Sequence, residues 1–201
     1  MRLAPGCVPL ILTLALSARG ATPVHAEKLT VVLDFTGPHS ARSIQEMKNE
    51  LRAILDGAGL ELNWRSPEEA AQVNVDNLVV VRFNGTCILE PVAYLYDERG
   101  PLAFTHTSAG EPLPFSEVAC DTVTASMRSA MVGGDYKKAD MLLGRALGRV
   151  VAHELVHMLT RSAEHSHLGI QKKALSGSEL IADHLQLSEQ DLLQLQQDHK
   201  E

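Results

Sequence analysis

Tyr136–Thr160 reads YKKADMLLGRALGRVVAHELVHMLT, a run without proline whose apolar residues recur at helical spacing. It is expected to form one long helix. Within it, His153 and His157 stand four residues apart and so lie one above the other on the same face. At about 100° per residue their directions differ by only about 40°, so both imidazoles can reach a single ion. Glu154 lies about 100° from His153, beside the pair rather than behind it. Leu147, Val151, Leu155, Met158 and Leu159 fall on the other side, with Gly144 and Gly148 among them. Each glycine costs about 1 kcal/mol of helix propensity against alanine. The expectation is that they let the helix lie close on a sheet, with the histidine face turned away from it toward a cleft.

Upstream of this helix the pattern is mostly β. Lys28–Phe35 (KLTVVLDF) reads as a strand and Ser40–Asp56 as an amphipathic helix, with Ile44, Met47, Leu51, Ile54 and Leu55 in period. Ser43 and Glu46 suggest its capping box, and Gly57 its stop. Leu60, Leu62 and Trp64 alternate, and Leu78–Phe83 (LVVVRF) is a β-branched run suited to a central strand. Between residues 85 and 125 the candidate strands are Cys87–Tyr96, Leu102–Thr107 and Phe115–Thr122. After the long helix, His165–Gly177 reads as a loop and Glu179–His184 as a short helix. Ser188 and Asp191 then cap a last helix running to about His199. With no repeat, linker or second boundary, the chain is expected to be one α+β domain with a mixed sheet.

Residues 1–26 carry the marks of a secretory signal. Arg2 supplies the positive start, Val8–Leu16 (VPLILTLAL) the apolar run, and Val24-His25-Ala26 the small residues of a cleavage site. The domain is then 27–201 and the protein exported. Losing Arg2 and Arg19 takes the formal charge of the 201-residue chain from −7 to −9. Lysines pair only at Lys137-Lys138 and Lys172-Lys173, so nucleic acid and anionic membrane are excluded as partners. No stretch reaches the roughly 18 apolar residues of a membrane span. Cys7 leaves with the signal, and Cys87 and Cys120 are expected to pair in an oxidising compartment.

His153-Glu154-Leu155-Val156-His157 is an HExxH motif on a helix, the arrangement in which two histidines bind zinc and the glutamate acts as general base on a metal-activated water. Catalytic zinc needs a third protein ligand. His165, eight residues after His157, is the expected one; His167 in the same loop and Glu179, with Asp183 four residues further, are the alternatives. The motif and the strand–helix order of residues 28–160 resemble the zincin metallopeptidases. The nearby third histidine is similar to the metzincin pattern HExxHxxGxxH. Here Thr160 stands at the glycine position, the histidine comes two residues late, and no methionine follows Met158 to make a Met-turn. Glu179-Leu-Ile-Ala-Asp183 is similar instead to the gluzincin third-ligand helix.

The resemblance implies a zinc-dependent peptidase with a protein or peptide substrate, which an edge strand such as Leu102–Ser108 would bind by β-augmentation. No residue is singled out as an oxyanion donor. The rival expectation is a non-catalytic exported module that keeps the fold and a closed metal site. The two separate on coordination: a catalytic site has three protein ligands, a structural site four.

Overall fold

Glu27–Phe35 forms β1, in which the five successive residues from Leu29 to Leu33 are buried. Burial of both strand faces is what a central parallel strand requires. The computed structural model describes residues 26–91, 100–131 and 136–198; the rest of the signal-like segment lies outside them. β1 pairs in parallel with β2 (Leu60–Arg65) on one side and β3 (Leu78–Asn84) on the other. β3 pairs in parallel with β5 (Glu111–Ala119), and β4 (Ala103–Ser108) closes the sheet antiparallel to β5. The order is β2-β1-β3-β5-β4, so β4 is an edge strand. The chain is thus α+β with a mixed five-stranded sheet, as its pattern predicts.

One face of the sheet carries the core. Val31, Val79, Val81, Phe83 and Val118 are all within 3% of full burial. They face α1 (Ala41–Ile54) and α4 (Ala139–Thr160). The cap of α1 differs from expectation: Ser40 accepts from the Ser43 amide, while Ser43 is buried and donates its hydroxyl to Asp140 at 2.8 Å. Ser43 is thus a helix-to-helix contact and not a cap.

The glycines of α4 also serve a different neighbour. A Cβ on Gly144 would lie 2.6 Å from the Ser43 carbonyl oxygen and 2.9 Å from the Met47 amide nitrogen; one on Gly148 would lie 3.0 Å from the Met47 carbonyl oxygen. They let α4 close on the backbone of α1, not on the sheet. The histidine face is turned toward residues 162–175, and at Glu154 it borders β4.

β5 stops at Ala119 because Cys120 opens α3 (Cys120–Ala130), a helix that replaces the end of the expected strand Phe115–Thr122. Cys87 and Cys120 are joined in a disulfide with a Cα–Cα distance of 4.9 Å, tying the end of β3 to the start of α3. The expected strand Cys87–Tyr96 is reduced to an isolated bridge from Cys87 to His39, and its residues 92–96 lie outside the described ones. A short helix, α2 (Pro67–Ala70), follows β2.

Beyond α4 lie α5 (Gly177–Ile181) and α6 (Glu189–Asp198), the latter opened by reciprocal Ser188–Asp191 hydrogen bonds as the sequence predicts. Two arginines of α4 fasten α5. Arg149, 1% exposed, pairs with Glu50 at 2.8 Å and donates to the Glu179 carbonyl at 2.6 Å. Arg145 donates to the carbonyls of Ile181 and Ala182. A guanidinium buried this deeply is tolerable only when paired and hydrogen-bonded. No described helix is long and apolar enough to cross a membrane.

Candidate metal centre

α4 ends at Arg161, which takes the left-handed conformation (φ 48°) and turns the chain back along the helix. The returning segment is pinned at its far end. Ile170 is fully buried and its amide donates to the Gln186 carbonyl, while Gly169, at φ 70°, packs where a Cβ would lie 2.4 Å from that same oxygen. Ser166 donates its amide to the Gln171 carbonyl at 2.8 Å, closing the loop on itself. The loop therefore presents His165 over the two helical histidines.

His153, His157 and His165 offer nitrogen atoms that all lie within 4.8 Å of one another. Their ring centroids are 4.7 Å (153–157), 5.2 Å (153–165) and 4.8 Å (157–165) apart. Main-chain oxygens set the tautomers of the first two. His153 Nδ1 is 2.9 Å from the Ile170 carbonyl and His157 Nδ1 is 2.7 Å from the Ser162 carbonyl. A carbonyl only accepts, so both Nδ1 atoms carry the proton and both Nε2 atoms carry a lone pair. Those two Nε2 atoms face each other at 3.1 Å. Two lone pairs at that distance repel unless a cation lies between them. Burial, the larger cause, also holds His153 down to about 4 and lowers His157, so both are neutral at pH 7. Neutral, oriented imidazoles with a hydrogen-bonded far nitrogen are the form in which histidine binds a metal. The donor set thus fits a metal ion; an all-imidazole set suits zinc, copper, iron or nickel.

Glu154 is buried beside this group and accepts a 2.7 Å hydrogen bond at Oε2 from the Thr105 hydroxyl of β4. Burial pushes its carboxyl up to about 7, with the Thr105 bond opposing. The alternatives for the third ligand are placed elsewhere. His167 is exposed and outside the group. The Glu179 carboxylate receives the Lys172 ammonium and the Ser176 amide and hydroxyl, and Asp183 pairs with Arg145 at 3.0 Å. Among the described residues no fourth histidine, cysteine or carboxylate joins the three histidines.

Two side chains at the centre have no signature in the sequence reading. One is Thr105, which fixes the Glu154 rotamer. The other is Gln171, 2% exposed, whose amide nitrogen is 3.3 Å from His157 Nδ1 and 3.1 Å from Nε2. Nearly equal distances to both ring nitrogens place that nitrogen over the face of the ring, not on either lone pair. Gln171 is thus a floor beneath His157, an N–H over a π face. Its Oε1 is buried without a partner among the described residues. By contrast His106, one strand position from Thr105, pairs with Glu117 at 2.9 Å and takes no part in the centre.

No protein-family model matches the chain, and no curated protein matches it.

Proposed function

We propose that the chain is an exported zinc-dependent hydrolase, a peptidase, in which His153, His157 and His165 hold the metal and Glu154 is the general base. The observation that carries this is the convergence of three imidazoles with a buried carboxylate beside them and no fourth described ligand. Three protein ligands are what a catalytic zinc site has; a structural site is closed by four. The rival reading, a non-catalytic module, would draw its fourth ligand from Glu179, and that carboxylate is already engaged by Lys172 and Ser176. The disulfide is compatible with export.

Zinc, when bound, would supply Lewis acidity and bring the pKa of its water toward about 7. The chain's own groups do the rest. The Ile170 and Ser162 carbonyls hold His153 and His157 in the ligating tautomer. Thr105 engages Oε2 of Glu154 and fixes the carboxylate against β4. A carboxyl whose pKa lies near the working pH can take a proton from the attacking water and pass it to the leaving amine. An extended peptide would add to the outer edge of β4, whose first residue, Ala103, lines the same cleft as His153 and Glu154.

The test is metal analysis of purified protein together with cleavage of a broad peptide library, on wild type and Glu154→Gln. Wild type is expected to carry about one zinc per chain and to cleave. The variant should fold, keep zinc and lose about 10²–10⁴-fold in rate. Zinc-loaded wild type that cleaves nothing, or a variant as active as wild type, overturns the reading.

A further inference from the structure

Two clefts flank the histidine cluster, and among the described residues the ionisable groups toward their outer parts differ in sign. The first, about 240 Å³, has His153 and the buried Glu154 at its inner end, Leu102 and Leu175 on its walls, and Lys172 and the exposed Lys173 lining it toward solvent. The second, about 610 Å³, runs from His165 past Gln171 to α6 and carries Glu164, Glu189 and Asp191. In a chain of formal charge −7, a cleft whose described outer ionisable groups are both cations is set against the rest of the molecule. The Lys172 ammonium is already neutralised by Glu179. Lys173 has no ion-pair partner among the described residues.

An ammonium without an ion-pair partner among the described residues, above an apolar wall, is complementary to an anion on a short aliphatic stem, and in a peptide side chain that is a carboxylate. Low-dielectric cleft walls focus the field of such a charge on whatever enters. Across the histidines, Glu164 and Glu189 repel the same carboxylate. The two clefts therefore admit an acidic residue on one side of the metal centre and disfavour it on the other, which gives a bound chain a direction. We propose that the cleft beside Glu154 is the specificity pocket for a glutamate or aspartate side chain of a peptide substrate, with Lys173 as its counter-ion. This rests on the site being one that binds peptides, and it adds the chemistry that the site selects.

Binding can be read without cleavage. Fluorescently labelled hexa-alanine peptides carrying one Glu, Gln or Lys at a central position are titrated against Glu154→Gln protein, and in parallel against wild type stripped of metal with EDTA, which covers a variant that fails to fold. At low ionic strength the Glu peptide is expected to bind about fivefold tighter than the Gln peptide, the scale of one partly exposed ion pair. The difference should shrink at 1 M salt as the Debye length falls to about 3 Å. Lys173→Gln should remove the preference and Lys173→Glu should reverse it toward the Lys peptide. Equal binding of the three peptides, no binding of any, or a Glu preference that survives Lys173→Gln overturns the assignment. The hydrolase reading fails separately: a Glu preference in protein that cleaves nothing keeps the pocket and removes the peptidase, whereas cleavage without the preference does the reverse.

Discussion

Whether a side chain serves the metal or the fold is decided by what else holds it. Among the described residues His165 has no competing hydrogen bond or ion pair, and its ring lies against both helical histidines. The Glu179 carboxylate is held by the Lys172 ammonium and by the amide and hydroxyl of Ser176, the residue that caps its helix. His165→Ala should therefore abolish tight zinc binding, and Glu179→Ala should leave most of it, as read by competitive titration with a chromophoric chelator. The opposite result would make the glutamate the ligand. Glu179 has a different role that pH exposes. The Lys172 contact, first, and the Ser176 hydrogen bonds hold its carboxyl down to about 2. A depressed carboxyl stabilises the fold at pH values above its unfolded value, about 4.3, and that contribution is lost as pH falls toward 2. Unfolding midpoints of wild type should drop across that window, and Glu179→Gln should flatten the drop while lowering stability at neutral pH.

At the scale of the element, α4 is where local sequence and tertiary demand agree. Its period, its length and its HELVH stretch are all visible in the primary structure, and His153, Glu154 and His157 come together by helix geometry alone. What α4 packs against was not visible. The sequence places glycines at 144 and 148 on one face, but that α1 and not the sheet lies there depends on contacts about a hundred residues apart, such as Arg149 with Glu50. Gly144→Ala sets two effects against each other. It gains about 1 kcal/mol of helix propensity. It also forces a methyl to within 2.6 Å of a backbone oxygen. Overpacking against main chain costs about 1–3 kcal/mol, so the substitution should destabilise, as measured by denaturant unfolding. α3 shows the other limit of local reading. Cys120, Asp121 and the β-branched Thr122 follow Phe115–Ala119 without a Gly or Pro break, so the expected strand runs on to Thr122. The helix forms because Cys120, Val123, Thr124 and Met127 bury one face, with no side-chain cap at its start. Thr105 and Gln171 escaped notice for a related reason: each matters only through a neighbour, Glu154 or His157, that folding brings to it across 49 or 14 residues.

For the molecule as a whole, the Cys87–Cys120 bridge closes 33 residues of sequence and spans the segment that includes β4, the strand against which Glu154 is held. Unfolded, unreduced protein should show neither cysteine as a free thiol in a titration of the chain from residue 27 on. In the chain-entropy account a loop of this size is worth about 3–4 kcal/mol, so reduction should lower the melting temperature and loosen β4 before it disturbs α4. The metal centre has another kind of security. The groups that orient His153 and His157 are the main-chain oxygens of Ile170 and Ser162, and every amino acid has one. A substitution at residue 162 changes a side chain but deletes no acceptor; at 170 it is tested only for how well it fills the core. The ligand orientation is therefore heritable without being spelled out in side chains, and lineages can drift far apart around these positions while the imidazoles keep their aim.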